Sequence, residues 1–295
     1  MRVVIAGSSG LIGSALVELL RSEGAQVVRL VRRAPAHPEE RRWDPERGVL
    51  DPGILAGADV VVNLAGAGVG DKRLTTARKQ IVLSSRTAGT ALLARTIAGM
   101  SEPPGVLLQG SASGAYGDRG DELLTEDSTR GDTFLAGVVR AWEDAARPAV
   151  EDPRVRVAFL RTGIVLTPGG GALGPLLPLI RFGLGGPLGS GRNYWAWITL
   201  TDEVRAIRHL MDAPVSGPVN LVADPARSIE VIRALAGVLH RPAVLPVPGF
   251  ALRLVLGEFA DEILASQRIV PSVLDTSGFV HQYPQIDTAA RAVLA

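Results

Sequence analysis

Three glycines near the start of the chain, Gly7, Gly10 and Gly13, have the spacing of a turn that binds phosphate. The apolar run at 3–6 reads as a buried strand, and residues 11–23 have the apolar periodicity of a helix. Such a turn lets the backbone approach a pyrophosphate, which the positive end of the helix dipole then attracts. The sequence therefore predicts a dinucleotide site. Its predicted contacts are Gly7, Ser9, Gly10, Leu11 and Ile12.

The end of the second predicted strand, residues 26–31, indicates which dinucleotide is bound. An acidic side chain there would bond the ribose 2′-hydroxyl of NAD, but Arg32 and Arg33 follow this strand instead. Guanidinium groups bind phosphate through paired N–H donors. We therefore expect both arginines to contact the 2′-phosphate of NADP(H); the alternative is that they are solvated loop charges.

Further motifs along the chain resemble one family. With the glycine turn they are similar to an extended, atypical short-chain dehydrogenase/reductase, in the NAD-dependent epimerase/dehydratase-like branch that has a small C-terminal domain of the DUF1731 type. The resemblance spans nearly the whole chain. The stretches that carry it are Asn63-Leu64-Ala65-Gly66, Tyr116-Gly117, Trp142-Glu143, Arg161-Thr162-Gly163-Ile164, Trp195-Ala196-Trp197-Ile198, Gly257-Glu258, Gly278-Phe279 and Tyr283-Pro284.

The resemblance implies a Rossmann fold with NADP(H) across the carboxyl ends of the strands. It places Leu64, Ala65 and Gly66 on the adenosine side. At the nicotinamide end it places Gly110, Thr162, Gly163 and Ile164.

The usual catalytic set of the superfamily is missing from this chain. Relatives use a Ser or Thr, a Tyr, and a Lys four residues after that Tyr to move a proton. By the resemblance these three positions fall on Ala112, Phe134 and Val138. No lysine occurs after Lys79, so later sequence cannot supply the ammonium.

Three hydroxyl groups remain as candidate proton donors, on Tyr116, Ser113 and Ser111. Deprotonating an unassisted tyrosine at neutral pH costs about 4 kcal/mol, so Tyr116 would act as a neutral donor. The alternatives are that Tyr116 is a packed loop aromatic and that the serines bond nearby backbone.

The densest aromatic patch offers a candidate substrate pocket formed by Arg192, Tyr194, Trp195 and Trp197. The alternative is a strand with buried tryptophans. The four histidines have no metal-ligand spacing, so no metal site is predicted.

Composition limits the classes of partner and compartment. The 295 residues include 31 basic and 30 acidic side chains, which argues against nucleic acid or an anionic membrane as partner. Cysteine is absent, and no apolar stretch has the ~18 residues of a membrane span. We expect a cytoplasmic monomer or homodimer that binds a small molecule.

Strand and helix patterns alternate regularly up to about residue 162. They predict an α/β fold, a Rossmann-type doubly wound parallel sheet with a small C-terminal α/β substrate lobe. The predicted dinucleotide domain is 1–163 plus about 198–219, and the lobe is 164–197 plus 220–295. Further predicted strands are 60–64, 106–110, 155–160, 219–222 and 244–247, with a short one near 42–43, and further helices are 74–98, 134–150 and 228–239.

Two local predictions concern helix ends. Thr201 reads as the cap of a helix that has acids in its first turn. Glu258, Asp261 and Glu262 read as three solvated carboxylates on one helix, from which Glu258 could line the cleft.

Two functions are compatible with these residues. The first is an NADP(H)-dependent oxidoreductase or epimerase-like enzyme that acts on a small molecule with a non-standard proton donor. The second is a protein that binds NADP(H) without turning it over, as a redox sensor or regulatory partner.

Overall fold

A computed structural model describes residues 1–171 and 173–295. The strands are β1 (Arg2–Ala6), β2 (Gln26–Val31), β3 (Glu40–Arg42), β4 (Val60–Asn63), β5 (Val106–Ala112), β6 (Leu123–Leu124), β7 (Arg156–Thr162), β8 (Ile164–Leu166), β9 (Tyr194–Trp195), β10 (Trp197–Thr199), β11 (Gly217–Leu221), β12 (Ala226–Arg227) and β13 (Arg268–Ile269). The helices are α1 (Leu11–Ser22), α2 (Thr76–Ala98), α3 (Phe134–Asp144), α4 (Arg147–Val150), α5 (Leu173–Arg181), α6 (Leu200–Asp212), α7 (Ser228–Val238), α8 (Gly249–Leu256), α9 (Phe259–Leu264), α10 (Ser272–Thr276) and α11 (Ile286–Leu294).

The central sheet has seven parallel strands in the order β11-β7-β5-β4-β1-β2-β3. The chain winds outward in one direction from β1 through β2 to β3, and in the other from β4 onward. Ligands of such sheets bind where the winding reverses, at the carboxyl ends of the strands. This crevice opens between β1 and β4, and the predicted doubly wound parallel sheet is confirmed.

Strand β1 explains why both faces of the sheet are covered. Val3 and Ile5 pack into a core with α1 and α6, whereas Val4 and Ala6 pack into a second core with α2. Successive side chains of a strand point to opposite faces, so a continuous apolar run needs helices on both sides. The glycine turn therefore follows a strand that is packed on both faces.

A smaller set of elements packs beside the sheet. Strand β8 pairs with β10, β9 pairs with β12, and α7 packs on α11 around a third apolar core. Strand β13 pairs with β6, so the C-terminal segment returns to the dinucleotide-binding half.

Two strands expected in the second lobe are corrected. The strand predicted at 219–222 is β11, which is an edge of the central sheet. The strand predicted at 244–247 does not form; only Val247 makes an isolated bridge, to Leu188. Prolines at 242, 246 and 248 lack the N–H that a ladder needs, which explains why this apolar run stays irregular.

Three helix predictions are also corrected. The stretch 134–150 is divided into α3 and α4, because Pro148 has no N–H to donate to a preceding turn. Thr199, and not Thr201, caps α6 by accepting a bond from the N–H of Asp202 at 3.1 Å. Gly257, with φ of +65°, separates α8 from α9, so Glu258 lies outside the helix that carries the other two carboxylates.

Candidate functional site

The glycine turn leaves one open position between two crowded ones. A Cβ placed on Gly7 would lie 2.5 Å from the carbonyl carbon of Leu64, and one on Gly13 would lie 2.2 Å from the oxygen of Gly7. At Gly10 the nearest atom is that same oxygen, at 3.4 Å. Helix α1 begins directly after the exposed Gly10, and no side chain caps its first N–H groups. These features fit a pyrophosphate.

The loop after β4 is shaped by one buried amide. Asn63 is fully buried; its Oδ1 accepts from the N–H of Ala65 at 3.2 Å, and its Nδ2 donates to Gln109 Oε1 at 2.9 Å. Leu64 and Ala65 are half-buried and Gly66 is exposed. The three residues expected on the adenosine side therefore border the crevice.

The two arginines after β2 have different surroundings. Arg33 forms a two-pronged pair with the buried Glu40, at 2.6 and 2.8 Å. Hydrogen bonds from Arg33 and from the N–H of Ala36 lower the pKa of Glu40 to about 2. Arg32 is exposed and makes no hydrogen bond or ion pair with a described residue. Only Arg32 is left available for a phosphate without breaking a bond.

Sequence reasoning missed Arg29, which lies on β2 itself. Its Nε donates to Ser8 Oγ in the glycine turn at 3.1 Å, and its guanidinium lies 3.6 Å from Glu40. Arg29 thus ties the turn to the strand end where Arg32 lies. The signal that could have identified Arg29 is a basic residue inside an otherwise apolar strand.

Sequence reasoning also missed Arg86 on α2, which borders the crevice. It donates to the carbonyl of Ala67 at 2.8 Å and lies over the Trp142 ring at 4.9 Å. A Cβ placed on Gly66 would lie 3.3 Å from the Arg86 side chain. Burial lowers the pKa of Arg86 to about 10, so it stays charged at neutral pH. No carboxylate in the described ranges pairs with Arg86. Its positive charge would therefore attract an anion bound in the crevice.

Strands β5 and β7 end side by side, with Ala112 opposite Thr162. The residues expected at the nicotinamide end lie at this edge of the sheet. A Cβ on Gly110 would lie 2.9 Å from the carbonyl oxygen of Asn63, and one on Gly163 would lie 2.6 Å from that of Ala196. Both glycines permit close backbone packing. Thr162 and Ile164 are half-buried beside them.

Thr162 is held by an unusual partner, Glu203 of α6. Its Oγ1 donates to Glu203 Oε1 at 2.7 Å, while Oε2 has no partner among the described residues. Burial raises the pKa of Glu203 to about 8, so this carboxyl is mostly protonated at pH 7. Sequence reasoning assigned it only to the first turn of a helix.

Two of the three candidate proton donors belong to a buried network. Ser111 Oγ donates to Glu143 Oε1 at 2.7 Å, and Arg161 donates to the same oxygen at 3.0 Å. The hydroxyl of Tyr116 accepts from Arg161 at 2.9 Å and donates to Asn220 at 2.7 Å. Tyr116 is fully buried, and burial raises its pKa. This geometry favours the packing alternative for Tyr116.

Ser113 differs from the other two hydroxyls. It follows β5 at the start of a single 3-10 turn that ends at Tyr116. It forms no side-chain hydrogen bond with any residue in the described ranges, and it is 9% exposed. Its hydroxyl is the one candidate of the three that is not already engaged.

The position that aligns with the superfamily tyrosine has a lysine beside it after all. Lys79 Nζ lies 5.0 Å from the centre of the Phe134 ring and pairs with Glu258. This ammonium comes from the earlier helix α2, whereas only the sequence after Lys79 had been excluded as its source. Glu262 of α9 lies beside the turn that follows β5: its Oε2 is 3.9 Å from a Cβ placed on Gly114.

The predicted aromatic pocket is only partly brought together. Trp195 and Trp197 are buried in the third core, and Trp195 Nε1 donates to the carbonyl of Ile263 at 2.9 Å. Tyr194 is half-buried, with Arg227 4.6 Å from its ring centre. Arg192 is exposed. The packing alternative therefore describes both tryptophans.

No helix in the described ranges combines the length and the apolar character that crossing a bilayer requires. No cluster of three or more acidic or histidine side chains with metal-binding geometry is found in the same part of the chain.

Comparison with known proteins gives a consistent relationship over the whole chain. An epimerase family protein of Mycobacterium bovis is 44% identical over 290 residues, which cover 97% of this chain and 95% of that protein. The crystal structure of human epimerase family protein SDR39U1 (isoform 2) with NADPH is 32% identical, with a TM-score of 0.91 and 99% of each chain covered. A nucleoside-diphosphate sugar epimerase of Corynebacterium glutamicum is 35% identical, with a TM-score of 0.82; all of this chain matches 58% of that one.

Two family models match separate parts of the chain. Residues 247–293 match a domain of unknown function, DUF1731, and residues 3–222 match the NAD dependent epimerase/dehydratase family. The resemblance inferred from the motifs is confirmed: the chain belongs to the NAD dependent epimerase/dehydratase family.

Proposed function

We propose that this protein is an NADP(H)-dependent oxidoreductase or epimerase-like enzyme acting on a small molecule, without the usual Ser-Tyr-Lys set. The observation that carries the proposal is the cradle between β1 and β4, where the open Gly10 backbone adjoins the uncapped start of α1. A dinucleotide pyrophosphate suits that geometry. The human relative whose structure was determined with NADPH supports the same choice.

The preference for NADP(H) over NAD(H) is proposed from charge. Arg32 is exposed and unpaired among the described residues, and Arg86 adds an uncompensated positive charge in the crevice. No carboxylate follows β2 directly to accept a bond from a ribose 2′-hydroxyl. When bound, the cofactor would supply or accept hydride, and this chain would provide binding, orientation and a proton.

The test is to denature the purified protein and identify released small molecules by mass spectrometry. We then expect NADPH to bind more tightly than NADH when both are titrated into stripped protein by fluorescence. Release of NAD(H) alone, or equal affinity for the two reduced cofactors, would contradict the proposal.

A second candidate, a non-catalytic NADP(H) sensor, is favoured by Ala112, Phe134 and Val138 at the superfamily's catalytic positions. Incubation with metabolite extracts separates the two candidates. Extract-dependent oxidation of bound NADPH, followed by its absorbance, supports the enzyme; unchanged cofactor with every extract supports the sensor.

A further inference from the structure

We propose that Glu262, carried by α9 of the C-terminal segment, is the general acid and base of the cleft. It would exchange a proton with the oxygen of a substrate that carries a carbonyl or hydroxyl group. This inference rests on the proposed function and names the residue that would replace the missing tyrosine. The relevant surroundings are the turn after β5 and the start of α3.

The Glu262 carboxyl lies close to Gly114, in the turn after β5. A Cβ placed on Gly114 would lie 3.9 Å from Glu262 Oε2 and 3.7 Å from the Cβ of Leu135. Gly114 directly follows Ser113, and Leu135 directly follows Phe134, the position that aligns with the superfamily tyrosine. The Glu262 carboxyl and the first turn of α3 therefore flank the turn that carries the free Ser113 hydroxyl.

Helix α9 is anchored at both ends, which holds Glu262 in this place. At its start Phe259 packs in an apolar cluster with Phe134 and Leu135, and its ring is 3.1 Å from a Cβ placed on Gly70. At its end Asn193 Nδ2 donates to the carbonyls of Ile263 and Ala265, at 3.0 and 3.2 Å. These contacts restrict the motion of the helix that carries the carboxyl.

Glu262 is also free and accessible. Neither carboxylate oxygen forms a hydrogen bond or ion pair with another residue in the described ranges, and the side chain is half-buried. The carboxyl of Glu203, by contrast, is fully buried. A proton carrier must reach its substrate, so Glu262 meets a requirement that Glu203 does not.

The charges around Glu262 are few. Burial raises the pKa of Glu262 to about 7, and the neighbouring Asp261 adds to the shift. Asp261 is paired with Arg253, while Lys79 on α2 is paired with Glu258. The turn after β5 presents the hydroxyl of Ser113 and ends at Tyr116, whose phenol is held in the buried network with Arg161 and Asn220. The start of α3, residues 134–137, has no titratable side chain. A group that titrates near neutral pH can both release and take up a proton there.

The proton step balances with the hydride that the proposed cofactor provides. In reduction, the O–H bond of protonated Glu262 breaks and a new O–H bond forms on the substrate oxygen, while the carbonyl carbon receives hydride and becomes an alcohol carbon. In oxidation, the carboxylate accepts the hydroxyl proton and the same bonds form and break in reverse.

The experiment follows the Glu262 carboxyl directly, without a substrate. Protein labelled with ¹³C at glutamate carboxyls is titrated by NMR, and the Glu262 signal is assigned by its loss in Glu262→Gln. Titrations are run on free protein and with saturating NADP⁺ or NADPH. We expect a midpoint near 7 in free protein, and a midpoint lower by about one unit with NADP⁺ than with NADPH, because the positive oxidised ring favours a nearby carboxylate.

Asp261→Asn is the matched control, since it removes the neighbouring charge and leaves the cleft carboxyl in place. It should lower the Glu262 midpoint but keep the difference between NADP⁺ and NADPH. A free-protein midpoint near 4.5, or equal midpoints with two cofactors that both bind, would overturn the inference alone. Absence of binding by either cofactor would instead overturn the proposed function and the role of Glu262 with it.

Discussion

Arg32 and Arg33 are adjacent in the chain but differ in what already holds them. Arg33 forms an ion pair with Glu40, whereas Arg32 has no partner among the described residues. A phosphate bound by Arg33 would have to compete with a buried carboxylate, whereas Arg32 would gain a charge-assisted bond at no such cost. Cofactor choice should therefore depend on Arg32 more than on Arg33.

We expect Arg32→Ala to weaken NADPH binding by roughly tenfold or more, as one charge-assisted hydrogen bond contributes about 1.5–3 kcal/mol. NADH binding should not change, because NADH lacks the 2′-phosphate. Fluorescence titration of both cofactors measures this. Arg33→Ala is the control and should chiefly lower the free energy of unfolding, since it leaves Glu40 buried without its guanidinium. Equal weakening of NADH and NADPH by Arg32→Ala would count against the assignment.

Glu203 makes a pH-dependent contribution to stability. Its folded pKa, about 8, lies above the unfolded value near 4.3. The unfolded chain therefore loses its proton first, and stability present below about pH 4.3 is lost as pH rises to about 8. Relative to Glu203→Gln, the wild type should lose roughly 3–5 kcal/mol of unfolding free energy between pH 5 and pH 9. Urea unfolding of both proteins at pH 5, 7 and 9 measures the gap; a constant gap would refute the neutral carboxyl.

At the scale of elements, the start of α1 has separate requirements for folding and for binding. A Cβ at Gly13 would meet backbone at 2.2 Å, while one at Gly10 would meet no atom closer than 3.4 Å. The absence of a side chain at Gly13 lets α1 pack against the turn. The absence of a side chain at Gly10 leaves the backbone open to a ligand.

These distances predict different outcomes for two matched variants. Gly10→Ala should fold with a loss of about 1 kcal/mol or less, yet bind NADPH at least tenfold more weakly, because its methyl group occupies the approach to the N–H groups. Gly13→Ala should lose both binding and about 1–3 kcal/mol of stability, because backbone must move. Calorimetric binding and thermal unfolding distinguish them. Unimpaired binding by Gly10→Ala would place the pyrophosphate elsewhere.

At the scale of the whole molecule, Asp202 of α6 joins the C-terminal segment to the dinucleotide-binding half. It is fully buried, and its two oxygens accept from the backbone N–H groups of Gln282 and Tyr283, at 2.8 and 2.9 Å. Arg205 pairs with the same carboxylate at 2.7 Å. The segment that carries α9 therefore depends on contacts far from the cleft.

We expect Asp202→Ala to lower the unfolding free energy by about 3 kcal/mol, since it leaves buried donors without an acceptor. Amide hydrogen exchange should rise most around residues 280–284. Asp212→Ala, at the other end of α6, removes an exposed pair with Arg208 and should cost less than about 1 kcal/mol. Equal losses in the two variants would show that Asp202 does not join the halves.

The central fold and the cofactor cradle could be predicted from the sequence because their signals are local. Apolar runs and helical periodicity depend on near neighbours, and they indicated the order of strands and helices from β1 to β7. The glycine spacing of the first turn is an equally local signal, although the backbone that crowds Gly7 belongs to Leu64, after β4. The errors arose where a single proline or glycine decided a boundary, as at Pro148 and Gly257.

By itself the sequence determined the parallel sheet and the glycine turn between β1 and α1, and it predicted the loss of the usual catalytic set. Only the tertiary structure decided that Arg33 is paired while Arg32 has no partner among the described residues, and that Tyr116 is buried in a network. It also decided that Lys79 lies beside Phe134 and Glu262 beside Gly114. Each of these depends on residues that are distant along the chain. Pairing, burial and pKa follow from distances in space, which residue types and spacing do not contain.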